Sequence, residues 1–149
     1  MARFRFSLQN ILDMKEKLED QAKNDFAQAN RRLQEAIAEK EALELRLKEE
    51  KKKFQRDLSA ALDIGKIHQR EDAIDILRMY VAQQMLVVKQ REKEVEVARE
   101  HLNEAMKEKK TFEKLREKAF EAYMAEENLR EQKEIDELVS YRYGVDDKE

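Results

Sequence analysis

Two long helices folding back on each other as an all-α antiparallel coiled-coil hairpin are predicted from three observations. First, the 149 residues contain no proline and only two glycines, while 44% of the side chains are charged. Proline breaks helices and punctuates loops, so its absence favours long uninterrupted helices and disfavours a turn-rich sheet protein. Second, apolar residues recur three, four and seven positions apart along most of the chain, which is the spacing of one helix stripe wrapped on another. Third, that periodicity is lost once, around Gly65. The balance of 31 basic against 34 acidic residues goes with regular apolar spacing, and both argue against disorder, which favours large net charge and little hydrophobicity. One coiled-coil domain spanning residues 1–149 is expected.

The first helix is placed at about 7–60. Ser7 can cap it by accepting a free backbone N–H of the first turn, and Phe6 and Ile11 have the spacing of a hydrophobic staple. Its predicted seam runs Phe4, Leu8, Ile11, Leu18, Ala22, Phe26, Ala29, Leu33, Ala36, Leu43, Leu47, Phe54, Leu58. The steps from Leu18 to Ala29 read as a stutter, which locally unwinds a supercoil. Lys15 and Lys40 fall on the seam, where long stems can lie over the groove with the ammonium in water. A connector is placed at about 61–69. The second helix, about 70–142, carries a cleaner repeat: Ile67, Ile74, Val81, Val88, Val95 and Leu102 are seven apart, with Gln84 and Arg91 among the intermediate positions. Beyond Phe112 the apolar phase moves to Leu115, Ala119, Ala122 and Leu129. Gly144 is expected to stop the helix in a left-handed conformation, with a polar tail at 143–149. The arms differ in length, so the second should extend past its partner. A short connector favours folding back; a parallel dimer through each helix is the alternative.

Several function classes are disfavoured at this level. The net charge of −3 and pI near 5.7 speak against a general nucleic-acid binder. Lys51, Lys52 and Lys53 are interleaved with acidic neighbours and read as a solvated helix face. The opening residues lack the apolar core of a secretory signal, and no apolar run approaches the length of a membrane span. His68 and His101 stand far apart without a second strong ligand at metal spacing. No glycine-rich phosphate loop is present, and a thin two-helix rod offers no pocket to bury and tune a carboxyl group. A non-enzyme with no cofactor, no metal and no small-molecule substrate is expected. Three apolar clusters exceed the needs of a coiled coil: the N-terminal group around Phe4 and Phe6, the terminal group Ile135, Leu138, Val139, Tyr141 and Tyr143, and the run from Met79 to Val88. The first two lie at the same end of a hairpin, either packed on each other or offered to a partner.

The opening Phe4-Arg5-Phe6-Ser7-Leu8-Gln9-Asn10-Ile11-Leu12-Asp13-Met14-Lys15 and the closing Gln132-Lys133-Glu134-Ile135-Asp136-Glu137-Leu138 resemble the two ends of the FliJ family of flagellar type III export proteins. The stretch Met79-Tyr80-Val81 is similar to the family's aromatic and aliphatic run. The resemblance implies a cytoplasmic stalk, peripheral at the inner face of the cell membrane, that binds the export ATPase ring, promotes its assembly and links it to the export gate and to export chaperones. Carried onto this chain, it implies an ATPase-facing end at Phe4, Phe6, Leu8, Ile11, Gln132, Asp136, Leu138 and Arg142. It implies a surface for the cytoplasmic part of the gate protein at Leu43, Leu47, Met79, Tyr80, Gln83, Gln84 and Val87. The isolated chain is expected to be a monomer. The alternatives are the stalk of a virulence type III secretion system and a homodimeric coiled-coil tether.

Overall fold

The computed structural model describes residues 3–60 and 63–146, and among these the chain is two helices and no strand. Helix α1 is Gln9–Ser59 and helix α2 is Ile64–Asp146. They pack against each other as an all-α helical hairpin. The contacts group into two compact units, one of Met1–Glu19 with Glu104–Glu149, the other Asp20–Asn103.

The connector is shorter than the sequence predicts. Residues 64–69 are helical because Asp63 caps α2: its backbone carbonyl accepts from the N–H of Lys66 and Ile67, and its carboxylate accepts from the N–H of Gly65 at 3.1 Å. Gly65 is therefore inside the first turn of α2 and not the pivot of the loop; no described glycine has a positive φ. The same fact removes the left-handed stop at Gly144, which is helical, and α2 runs on to Asp146. Residues 147–149 of the expected polar tail lie outside the described residues, as do Ala61 and Leu62 of the connector. At the other end, the Leu8 carbonyl accepts the first four-residue bond from Leu12. Leu8 thus takes the cap position expected of Ser7, and α1 starts at Gln9.

In the unit Asp20–Asn103 the inward positions of α1 are Ala22, Phe26, Ala29, Leu33, Ala36, Lys40, Leu43, Leu47, Glu50, Phe54 and Asp57. Those of α2 are Ile67, Arg70, Ile74, Leu77, Val81, Gln84, Val88, Arg91, Val95, Ala98 and Leu102. Both sets step by three and four throughout, the heptad spacing of a supercoiled pair. Polar inward groups have partners. Gln84 donates to the Ala36 carbonyl at 3.0 Å, and Arg70 bridges Glu50 at 3.3 Å and also Asp57, one heptad further along α1. The Arg99 guanidinium lies over the Phe26 ring at 5.5 Å.

In the unit Met1–Glu19 with Glu104–Glu149, Leu12, Lys15 and Glu19 face Ala105, Lys109, Phe112, Ala119 and Tyr123. Glu19 is a buried carboxylate 3.1 Å from the Lys109 ammonium, and Lys15 reaches Glu108 at 2.8 Å. The Glu19 carboxylate, hydrogen-bonded to it, holds Lys109 above the usual lysine range.

The predicted stutter does not occur. Leu18 is exposed and Glu19 takes its place, so the steps from Leu12 to Phe26 stay three and four. Likewise the predicted phase shift after Phe112 is absent: Leu115, Ala122 and Leu129 are exposed while Ala119 and Tyr123 face inward. Ile11 and Leu58 are also exposed. At Leu18 and Leu58 the seam keeps its step by seating a charged neighbour, Glu19 and Asp57, whose head meets an opposite charge, Lys109 and Arg70.

Candidate functional site

Two surfaces stand out once the seam is accounted for. The first is the end of α2. A short non-helical segment precedes α1, and its Phe4 ring docks on α2 edge-to-face with Phe120 at 5.2 Å and tilted to Tyr123 at 5.5 Å. Arg116 closes over the same ring at 5.7 Å while its Nε donates to Gln9 at 3.1 Å. Phe4, Phe6 and Leu8 are half-buried in this arrangement, and Ile11 is exposed. The N-terminal cluster thus packs on Phe120 and Tyr123, not on the terminal group around Leu138.

Past that dock, every described side chain from Asn128 to Gly144 is exposed. The second arm does extend beyond its partner. Gln132, Asp136, Leu138 and Arg142 all lie on this extension and are exposed, so of the eight residues assigned to one end, four pack or start α1 and four are on lone helix. The extension is amphipathic in its own way. At about 100° per residue, the line of the α1-facing seam continues through the charged Arg130, Glu134 and Glu137 and then Tyr141. Phe120, Met124, Ile135, Leu138 and Val139 follow a different stripe, rotated by roughly a quarter turn. All five are exposed, Leu138 at 66%. This apolar stripe lies beside the line of the seam, and at Phe120 it receives the Phe4 ring.

The second surface is on α2 in the other unit. Ile76, Met79, Tyr80, Gln83, Val87 and Gln90 are exposed and recur at three- and four-residue steps on one face. That face carries no charge between Asp72 and Glu94, in a chain of which 44% is charged. It is continuous with a shallow groove whose walls include Ala29 and Arg32 on α1 and Gln90, Val97 and His101 on α2. The structure separates the seven residues expected to act together here. Met79, Tyr80, Gln83 and Val87 share the uncharged face. Gln84 is buried and occupied by the Ala36 carbonyl, and Leu43 and Leu47 are half-buried in the seam. Ile76 and Gln90, three residues from Met79 and Val87 respectively, share that face and were not among the seven.

Among the described residues no group of three His, Asp or Glu side chains could hold a metal ion, and no helix is long and apolar enough to cross a membrane. Among the described residues no buried side-chain nitrogen or oxygen lacks a hydrogen-bond partner.

No curated protein matches the sequence. The structure is similar to that of a YscO homolog, CT670 from Chlamydia trachomatis, with a TM-score of 0.53 at 17% sequence identity over 99% of each chain. At that identity the likeness bears on the fold: a second chain of the same length forms a comparable pair of helices. The family signal comes from the sequence itself, since residues 4–148 match the flagellar FliJ protein family, and the chain belongs to that family.

Proposed function

We propose that the chain is a non-enzymatic component of the flagellar type III export apparatus, a coiled-coil stalk that docks on the export ATPase ring, promotes its assembly and connects it to the export gate and export chaperones. The observation that supports this reading best is the lone end of α2. A family member that works inside a protein assembly needs a surface its own fold leaves unused, and residues 128–144 are such a surface. A single helix bearing an apolar stripe fits the helix-in-groove mode of protein recognition. Ile135, Leu138 and Val139 would supply the anchors, with Gln132, Asp136 and Arg142 as polar flanks. The uncharged face at Met79, Tyr80, Gln83 and Val87 is the gate-facing counterpart in this scheme. The chain acts in the cytoplasm at the base of the flagellum, held there by these contacts.

Leu138→Asp tests the docking end. The side chain is exposed and no described contact depends on it, so stability should stay within about 0.5 kcal/mol while capture by the immobilised ATPase falls at least tenfold. Undiminished capture would show that the ring is met elsewhere. Tyr80→Ala should leave ATPase capture unchanged and weaken binding to the cytoplasmic part of the gate.

A further inference from the structure

The segment 3–8 ahead of α1 alternates in burial. Phe4, Phe6 and Leu8 are half-buried while Arg3, Arg5 and Ser7 are exposed, the two-residue period of an extended chain lying on a surface. Its described backbone ties to α1 are the carbonyls of Phe6 and Leu8, which accept from the N–H of Gln9, Ile11 and Leu12. Upstream of Phe6 the described contacts are those of one aromatic side chain. Phe4 packs on Phe120 and Tyr123 beneath the Arg116 guanidinium. The helix that follows is held more firmly, since Leu12 is buried in the seam and the buried Glu19 pairs with Lys109. A segment with few buried contacts belongs to the part of a fold that opens first.

Phe4 also rests on the apolar stripe of α2. Phe120 begins that stripe and is 46% exposed even with the Phe4 ring against it; Met124, one turn on, is 42% exposed. Farther along, Ile135, Leu138 and Val139 are uncovered but lie within about 6 Å of helix. Helix-in-groove recognition spreads its anchors more widely, over positions i, i+3, i+4 and i+7. A groove that takes more of the stripe crosses Asn128 and Glu131 to reach Met124 and Phe120, about 28 Å in all, and there it meets Phe4.

We propose that residues 3–8 form a displaceable strap, and that docking of the export ATPase on the α2 stripe lifts Phe4 off Phe120 and Tyr123. The inference rests on the reading of the α2 end as the docking end and adds a control to it. The strap pivots at Phe6 and Leu8, whose carbonyls stay with the first turn of α1, so the helices remain paired while it opens. The resting chain binds more weakly than an unstrapped one, in proportion to the fraction of chains whose strap is off.

The free chain gives the first test. The sequence has no tryptophan, so Phe4→Trp places a single reporter under Arg116. In urea its emission is expected to shift to that of a solvated indole before the helices unfold by circular dichroism. Coincident transitions would overturn the proposal, because a strap that leaves only when the helices leave is part of the hairpin. The second test is capture by the immobilised ATPase. Phe4→Ala removes the docked ring and keeps the stripe, so it should tighten capture by about tenfold or more. Adding Leu138→Asp should abolish that gain, which separates docking on the stripe from the stickiness of a loosened end. Unchanged or weaker capture by Phe4→Ala, with native capture still lost in Leu138→Asp, would overturn the strap and leave the docking end standing. Capture of neither the native chain nor Phe4→Ala would refute the docking reading itself, whatever the urea result, and the strap's role with it.

Discussion

Removing the Phe4 ring separates the structural role of the N-terminal segment from its possible role in docking. In Phe4→Ala the edge-to-face contact with Phe120, the contact with Tyr123 and the Arg116 guanidinium over the ring are lost together. An aromatic pair is worth about 0.5–1.5 kcal/mol beyond its buried area, and an exposed cation–π contact about 0.5–1 kcal/mol. Phe4 is only half-buried, so the loss should fall below the roughly 3–5 kcal/mol of a core Phe→Ala change. We expect about 2–3 kcal/mol in urea unfolding. Because Phe4 holds the segment whose Phe6 and Leu8 carbonyls start α1, amide exchange should speed up first at Gln9, Ile11 and Leu12, with Val88 and Val95 unaffected. A change below 0.5 kcal/mol, or unaltered exchange at those three amides, would refute the reasoning. The consequence for binding studies is direct. A charged substitution at Phe4 disrupts the fold locally, so a loss of partner binding there cannot be assigned to docking, whereas Leu138→Asp can.

Three further outcomes follow from the same structure. Asp63→Ala removes the cap of α2 and should cost about 1 kcal/mol, read as a lower midpoint in denaturant and faster exchange at Gly65 and Lys66. Gly65→Ala should stabilise by about 0.4–1 kcal/mol, because the backbone is helical and an added Cβ meets only Asp63 Oδ1 at 3.6 Å; a lower midpoint would contradict the helical placement. Lys109 has a folded pKa raised by the Glu19 carboxylate. Its contribution is therefore present below the unfolded value near 10.4 and is lost as pH rises through the higher folded value. A thermal-melt series from pH 8 to 11.5 should show that loss in the native chain and a flatter profile in Lys109→Met.

The architecture was legible because its determinants are repetitive. The seven-residue series from Ile67 to Leu102, the missing prolines and the single interruption near Gly65 fix two helices and their turn without reference to any one contact. What composition hides is which side chain occupies a seam position when an apolar and a charged residue are adjacent. At Leu18 and Glu19, and again near Leu115, apolar preference points one way and heptad continuity the other. Continuity prevails at the first because Glu19 meets Lys109 across the pair, a partner ninety positions away. The same limit applies to the surfaces. Gln84 falls on the seam by its spacing but on the gate surface by the family resemblance, and its amide is held inward on the Ala36 carbonyl. The lone end of α2 was foreseeable from the unequal arms, but its apolar stripe, beside the line of the seam, emerges only once Phe4 is placed on Phe120 and Tyr123.

The central claim is that this chain is a stalk for the export ATPase. Its most direct test is a titration of the purified chain into the flagellar export ATPase of the same organism, following ATP hydrolysis and the mass of the ring together. The account predicts a saturable rise in both at the same stoichiometry, absent with Leu138→Asp. A folded chain that changes neither hydrolysis nor ring mass would contradict it.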